Sequence, residues 1–146
     1  MIRAYQASDK PELIKILELN IPMYFDSHEI KDFEDYLNTH GDTYFTVEKD
    51  NKIVGGTGYN ITEDSTVGHI TWQFFDPKYT GNGLGRELVE YCLSILRQNK
   101  QLTKSVVTTS QMAFRFFEKF GYKLIRTEED HWGAGFDLYV MEMELN

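Results

Sequence analysis

Tyr79, Thr80, Gly81, Asn82, Gly83, Leu84, Gly85 and Arg86 set three glycines at alternate positions. An apolar run at 70–75 leads into them, and a long amphipathic pattern at 84–99 follows at once. The order reads as strand, tight glycine loop, helix. Glycines let successive backbone N–H groups turn toward one point and let a ligand approach the main chain. The helix N-terminus adds partial positive charge at the same point. The stretch therefore predicts a cradle for a phosphate or diphosphate, and the remaining elements must build around one strand–helix crossover.

Those elements follow from periodicity and turn chemistry. A short strand is expected over 2–6. A helix is expected from a Ser8 or Asp9 cap through about residue 20, with Pro11 in its first turn and Leu13, Ile14, Ile16, Leu17 and Leu19 on one stripe. A second helix, 28–38, carries Ile30, Phe33, Tyr36 and Leu37 inward and Glu29, Asp32, Glu34 and Asp35 on a face read as solvent. Strands over 43–48, 53–61 and 67–75 form hairpins through Asp50-Asn51 and Glu63-Asp64-Ser65. After the long helix come a strand at 105–109, a helix at 112–120 closed by Gly121, a strand at 122–127, a polar irregular connection at 128–135, and a strand at 136–145. The order βααβββαβαββ predicts one mixed α/β sheet of seven strands with helices on both faces. The strands flanking the glycine loop run parallel, joined by a right-handed crossover.

The 146 residues predict a single domain, 1–146, and 41% hydrophobic content suffices for a substantial core. A formal net charge of −8 argues against nonspecific nucleic-acid binding and is compatible with a cationic acceptor. One cysteine, Cys92, excludes an internal disulfide and fits a reducing cytoplasm; its register within the long helix makes it a core residue rather than a nucleophile. No signal-peptide core and no run of membrane-spanning length is read, so a cytoplasmic protein with no membrane partner is expected, compatible with a homodimer. No metal-ligand constellation is read.

The loop is not a P-loop, because no Gly-Lys-Ser/Thr follows, and not a dinucleotide fingerprint, because Arg86 stands where a third spaced glycine is needed. Its pattern, Thr80 then Gly83 and Gly85 after a strand closed by Asp76-Pro77, resembles the acyl-CoA signature of the GNAT superfamily of N-acetyltransferases: Arg or Gln, two residues, Gly, one residue, Gly or Ala. Thr80 replaces the usual long polar residue. A second segment, Ser110, Gln111, Met112, Ala113, Phe114, Arg115, Phe116, Phe117, Glu118, Lys119, Phe120, Gly121, is similar to that family's Asn-x-x-Ala…Tyr-Glu-Lys-x-Gly segment, with Ala113, Phe116, Glu118, Lys119 and Gly121 matching. Topology and both motifs cover essentially the whole chain.

The resemblance implies the GNAT fold and transfer of an acetyl group from acetyl-CoA to a primary amine of a small molecule or peptide. It implies that the fourth and fifth strands splay to admit the cofactor. Phe74 and Phe75 would meet its pantetheine, and Thr80, Gly81, Asn82, Gly83, Leu84, Gly85 and Arg86 its diphosphate. Ser110 and Phe117 would flank the same gap. The resemblance leaves the acid and base open. Phe117 stands where the family often has a proton-donating tyrosine, and Thr71 where many members have a glutamate base. His69 is two residues before Thr71, so strand periodicity puts it on the face of Thr71 and Gln73, either as a base or as a hydrogen-bonded structural histidine. Ser110 could hold a water there. His131, Trp132, Glu128, Glu129, Asp130 and Asp137 could line the acceptor side, or cover a sheet edge and sit in solvent. The alternative to an enzyme is a non-catalytic CoA-binding sensor or structural module of the same fold.

Overall fold

The computed structural model describes residues 1–145. Its elements are β1 (Ile2–Ala4), α1 (Lys10–Leu19), α2 (Glu29–His40), β2 (Tyr44–Lys49), β3 (Lys52–Ile61), β4 (Val67–Phe75), α3 (Leu84–Gln98), β5 (Lys104–Thr109), α4 (Phe114–Glu118), β6 (Lys123–Gly133) and β7 (Phe136–Glu144). All seven strands form one sheet in the order β1-β2-β3-β4-β5-β7-β6. β4 and β5 run parallel, and the other neighbours are antiparallel. This is the expected mixed sheet, with the one parallel pair joined through the glycine loop and α3.

The helices divide the apolar residues between the two faces. Leu13, Ile16 and Leu17 of α1 pack with Phe33 and Leu37 of α2 against Tyr44 and Phe74. Val89, Cys92, Leu93 and Leu96 of α3 pack on the other face with Ile70, Val107, Met141 and Phe117. Each full burial of such a side chain stabilises by roughly 1.5–3 kcal/mol, so this division sets which strand residues face which helices. Burial pushes the Cys92 thiol up to about 11, in keeping with a core position.

Three local differences from the sequence expectation have physical causes. Asp9 does not cap α1 with its side chain; the buried carboxylate takes two hydrogen bonds from Arg3, at 2.8 and 2.9 Å, and one from Thr46 at 2.9 Å, so it clamps β1 and β2 instead. α4 is shorter than expected because Ser110 organises the turn before it, accepting from the Met112 N–H through Oγ and from Ala113 and Phe114 through its carbonyl. β6 extends to Gly133, where an irregular connection was expected. Its residues 128–131 are exposed, so no apolar alternation marks them; the ladder with β7 is irregular between the Glu128–Leu138 and Gly133–Phe136 rungs, and the Asp130 N–H donates to the Asp137 carboxylate there.

The fourth difference matters most for the site. Gly58 pairs with Thr71 and Gly56 with Phe74, so β4 has one more residue than β3 between these rungs. Trp72 takes φ +46° at this bulge. Alternation therefore breaks. Thr71 hydrogen-bonds the Tyr36 hydroxyl at 2.6 Å, and Trp72 packs on Phe33 with ring centroids 5.1 Å apart, so both face α2. Gln73 faces α3, accepting from Thr57 and donating to the Gly85 carbonyl. The expectation that His69, Thr71 and Gln73 share a face holds only up to the bulge. The Tyr44 ring fills the space beside Gly56 and Gly58, and its hydroxyl donates to the Trp72 carbonyl at 2.7 Å. Tyr44→Phe leaves that carbonyl unpaired and is expected to cost about 1–3 kcal/mol, read as a lower denaturant midpoint with an unchanged slope.

Candidate active site

The parallel ladder between β4 and β5 is short. It comprises Val67–Lys104, Gly68–Ser105 and His69–Val106. Beyond it β4 stays with β3 as far as Phe75, while β5 stays with β7 as far as Thr109. The two strands separate toward their C-terminal ends, and a cavity of about 630 Å³ occupies the wedge.

The glycine loop closes one end of the cavity. A turn at residues 77–79 is capped by the Asp76 carboxylate, which accepts from the Lys78 N–H at 3.0 Å. Gly81 and Gly83 then adopt φ +87° and +81°, a region that costs other residues about 1–2 kcal/mol. Nothing lies within 4 Å of where a Cβ would sit at either residue, so the loop presents bare backbone to open space. α3 starts at Leu84, and the N–H groups of Leu84, Gly85 and Arg86 have no carbonyl one turn earlier to bond. Gly85 has a different role: a Cβ there would sit 3.1 Å from the Phe116 ring, so glycine allows α4 to close on α3.

The structure brings most of the sequence-selected residues together. Phe74, Phe75, Thr80, Gly81, Gly83, Leu84, Gly85, Arg86, Ser110 and Phe117 line the cavity; Asn82 and His69 do not. His69 sits on the last parallel rung, before the wedge opens, and burial holds its imidazole below the usual value. The Ser110 Oγ is engaged by the Met112 N–H. Phe117 is buried edge-on against Phe116 and Tyr122 and presents only hydrocarbon to the wedge. Asn20 lines the cavity as well and ties down the end of β4, donating to the Phe75 carbonyl at 3.1 Å and the Ile16 carbonyl at 2.9 Å.

Among the described residues, three charged side chains line the cavity, and they segregate. Arg86 and Lys119 stand at the loop end, with the Arg86 guanidinium 5.3 Å from the Phe120 ring centroid. Arg86 also reaches the exposed Glu90 carboxylate at 3.4 Å. The third is Glu29, at the start of α2, which the amphipathic reading placed on a solvent face. It is 5% exposed. Oε2 accepts from the Asp26 N–H at 2.8 Å, and burial raises the carboxyl above the usual carboxylate range. The missed signal was Asp26-x-x-Glu29, the spacing at which an acid folds back over the first turn of a helix. Tyr24, Phe25, Trp72 and Trp132 form aromatic walls at this end. Trp132 is held there by donating Nε1–H to the Thr109 carbonyl at 3.0 Å.

Comparison with known proteins agrees with this geometry. Residues 13–122 match the model of the acetyltransferase (GNAT) family. The chain belongs to that family. Acetyl-CoA is the cosubstrate of GNAT enzymes. The chain is similar to the peptidyl-lysine N-acetyltransferase YjaB of Escherichia coli, 37% identical over 71 residues, covering 48% of this chain and 46% of that protein. It is also similar to the glucosamine 6-phosphate N-acetyltransferase of Trypanosoma brucei brucei, 34% identical over 77 residues, covering 49% and 52%. The matches thus span about half the length of these two relatives. An aminoglycoside 6'-N-acetyltransferase solved with coenzyme A has the same fold, with a TM-score of 0.78 over 100% of this chain and 97% of that one at 15% identity.

The residues present fit acetyl-CoA. The bare loop, the free helix-end N–H groups and the Arg86–Lys119 pair would hold its diphosphate, and the wedge would hold its pantetheine. Gly83→Ala forces a side chain into positive φ and is expected to weaken acetyl-CoA binding about tenfold, for a cost near 1.4 kcal/mol, measured by calorimetric titration of a folded variant.

Proposed function

We propose that this protein transfers the acetyl group of acetyl-CoA to a primary amine of a small molecule or peptide. The observation that carries the reading is the wedge itself, a gap of about 630 Å³ between separating parallel strands that ends on a bare glycine loop at a helix N-terminus. A single buried thiol is consistent with a cytoplasmic reaction. Among the described residues no helix is long and apolar enough to cross a membrane.

Acetyl transfer needs a neutral amine, a polarised thioester carbonyl and a departing thiolate. The end of β4, fixed through Asn20, offers the rigid backbone against which a thioester is oriented. Phe117 supplies no proton, and a thiolate of ordinary thiol basicity, pKa about 8.5, leaves without one. The Ser110 Oγ accepts from the Met112 N–H, which shapes the turn at the wedge and leaves its own O–H able to donate there.

Phe117 together with Thr71 favours the second reading, a module that binds CoA without turning it over. Thiol release in an amine panel decides between them; turnover of any acceptor excludes the second reading. Calorimetry with acetyl-CoA tests the shared premise, and absence of binding at roughly 1 mM, the upper end of ordinary substrate constants, would overturn both. His69→Ala is expected to keep parental turnover within about threefold, because His69 stands outside the wedge; a loss of two orders of magnitude, the scale of a lost general base, would restore it as the base.

A further inference from the structure

Glu29 is a buried carboxylate with no fixed cation. The charges that reach it are His28, Asp26 and Asp32. His28 is already paired with Asp26. The strands opposite present Thr71, Trp72 and Trp132, which carry no charge. One oxygen, Oε2, is satisfied by the Asp26 N–H. Oε1 takes no hydrogen bond from any described residue, yet no fully buried side-chain oxygen among the described residues lacks a partner. Oε1 therefore keeps some exposure, on a residue that is otherwise buried and lines the cavity. A buried anion is costly unless it meets a cation or a donor, and the aromatic walls around this one would favour a cation.

We infer that Glu29 receives the acceptor as a primary ammonium and serves as the base of the reaction. The inference rests on the transferase reading and adds to it the base and the charge of the acceptor. The ammonium donates an N–H to Oε1 and passes that proton to the carboxylate. The neutral nitrogen attacks the thioester carbonyl carbon, forming the N–C bond. The C–S bond then breaks, and the second nitrogen proton goes to the departing thiolate, giving amide and free CoA thiol. Glu29 afterwards releases its proton to solvent. The arrangement separates tasks along the wedge, with an anion for the amine at one end and Arg86 and Lys119 for the diphosphate at the other. It selects acceptors whose ammonium is carried on an apolar body that the four aromatic walls can enclose.

The sign of the pH dependence follows. A base works deprotonated, so turnover falls as pH drops through the Glu29 pKa, which lies above the ordinary glutamate value of about 4.3.

The test uses the full chain and phenethylamine as the probe. Carbon-detected NMR of glutamate-labelled protein, with the Glu29 signal assigned by its loss in Glu29→Gln, follows the carboxyl titration. The expected result is a midpoint above those of the exposed glutamates that moves to lower pH when phenethylamine is added. Glu29→Gln can still accept the Asp26 N–H, so it is expected to bind acetyl-CoA within about threefold of the parent. Its kcat is expected to fall at least about 100-fold, the scale of a lost general base, with the acidic limb of the pH profile abolished. A Glu29 titration indifferent to the amine, or parental turnover by Glu29→Gln, would overturn the inference. If the parent releases no thiol with any amine, the transferase reading fails by itself, and the titration still decides whether Glu29 receives an ammonium.

Discussion

The ladder between β4 and β5 stops at His69 and Val106, and every functional feature depends on that stop. A parallel pair that continued would satisfy its backbone groups and leave no room for a ligand. Here the strands part company because each keeps its outer neighbour: β4 follows β3, and β5 follows β7. The bulge at Trp72 bends β4 where the separation widens. Tyr44 fixes the bulge from across the sheet by its bond to the Trp72 carbonyl, and Asn20 fixes the strand end by its bond to the Phe75 carbonyl. Neither contact involves a residue near the other in sequence, yet together they hold the β4 wall of the site.

Charge is distributed along this wedge in the sense a bisubstrate reaction needs. The chain is acidic overall, but its cations at the cavity gather at the helix-end cradle and its buried anion lies at the far end. The field along the gap thus favours an anionic cofactor head and a cationic acceptor at opposite ends. Net charge alone does not convey this, because most of the acidic side chains lie on solvated surfaces.

How much of this could be read in the sequence varied with the range of the interaction. α3 and β4 came out within a residue of their observed ends, because a long amphipathic period and an apolar run bounded by Asp76-Pro77 and the glycines are local signals. The loop was legible for the same reason. The bulge was not, since it is set by Tyr44 and the β3 glycines 14 to 28 positions away, and a period-two reading carried His69 and Gln73 to one face. Glu29 was obscured by its neighbours: in a run of exposed acids, the fold-back to the Asp26 N–H outweighed composition. The extension of β6 to Gly133 was not legible because its residues are exposed, while the irregularity expected there is present as the broken ladder between Glu128 and Gly133.

The central claim, that the wedge between β4 and β5 is an acyl-CoA site, is tested most directly by a crystal structure of the protein with acetyl-CoA. The account predicts pantetheine density between the main chains of residues 73–75 and 107–110, with the diphosphate on the N–H groups of residues 81–86. Cofactor density elsewhere on the surface, with the wedge empty at saturating acetyl-CoA, would contradict it.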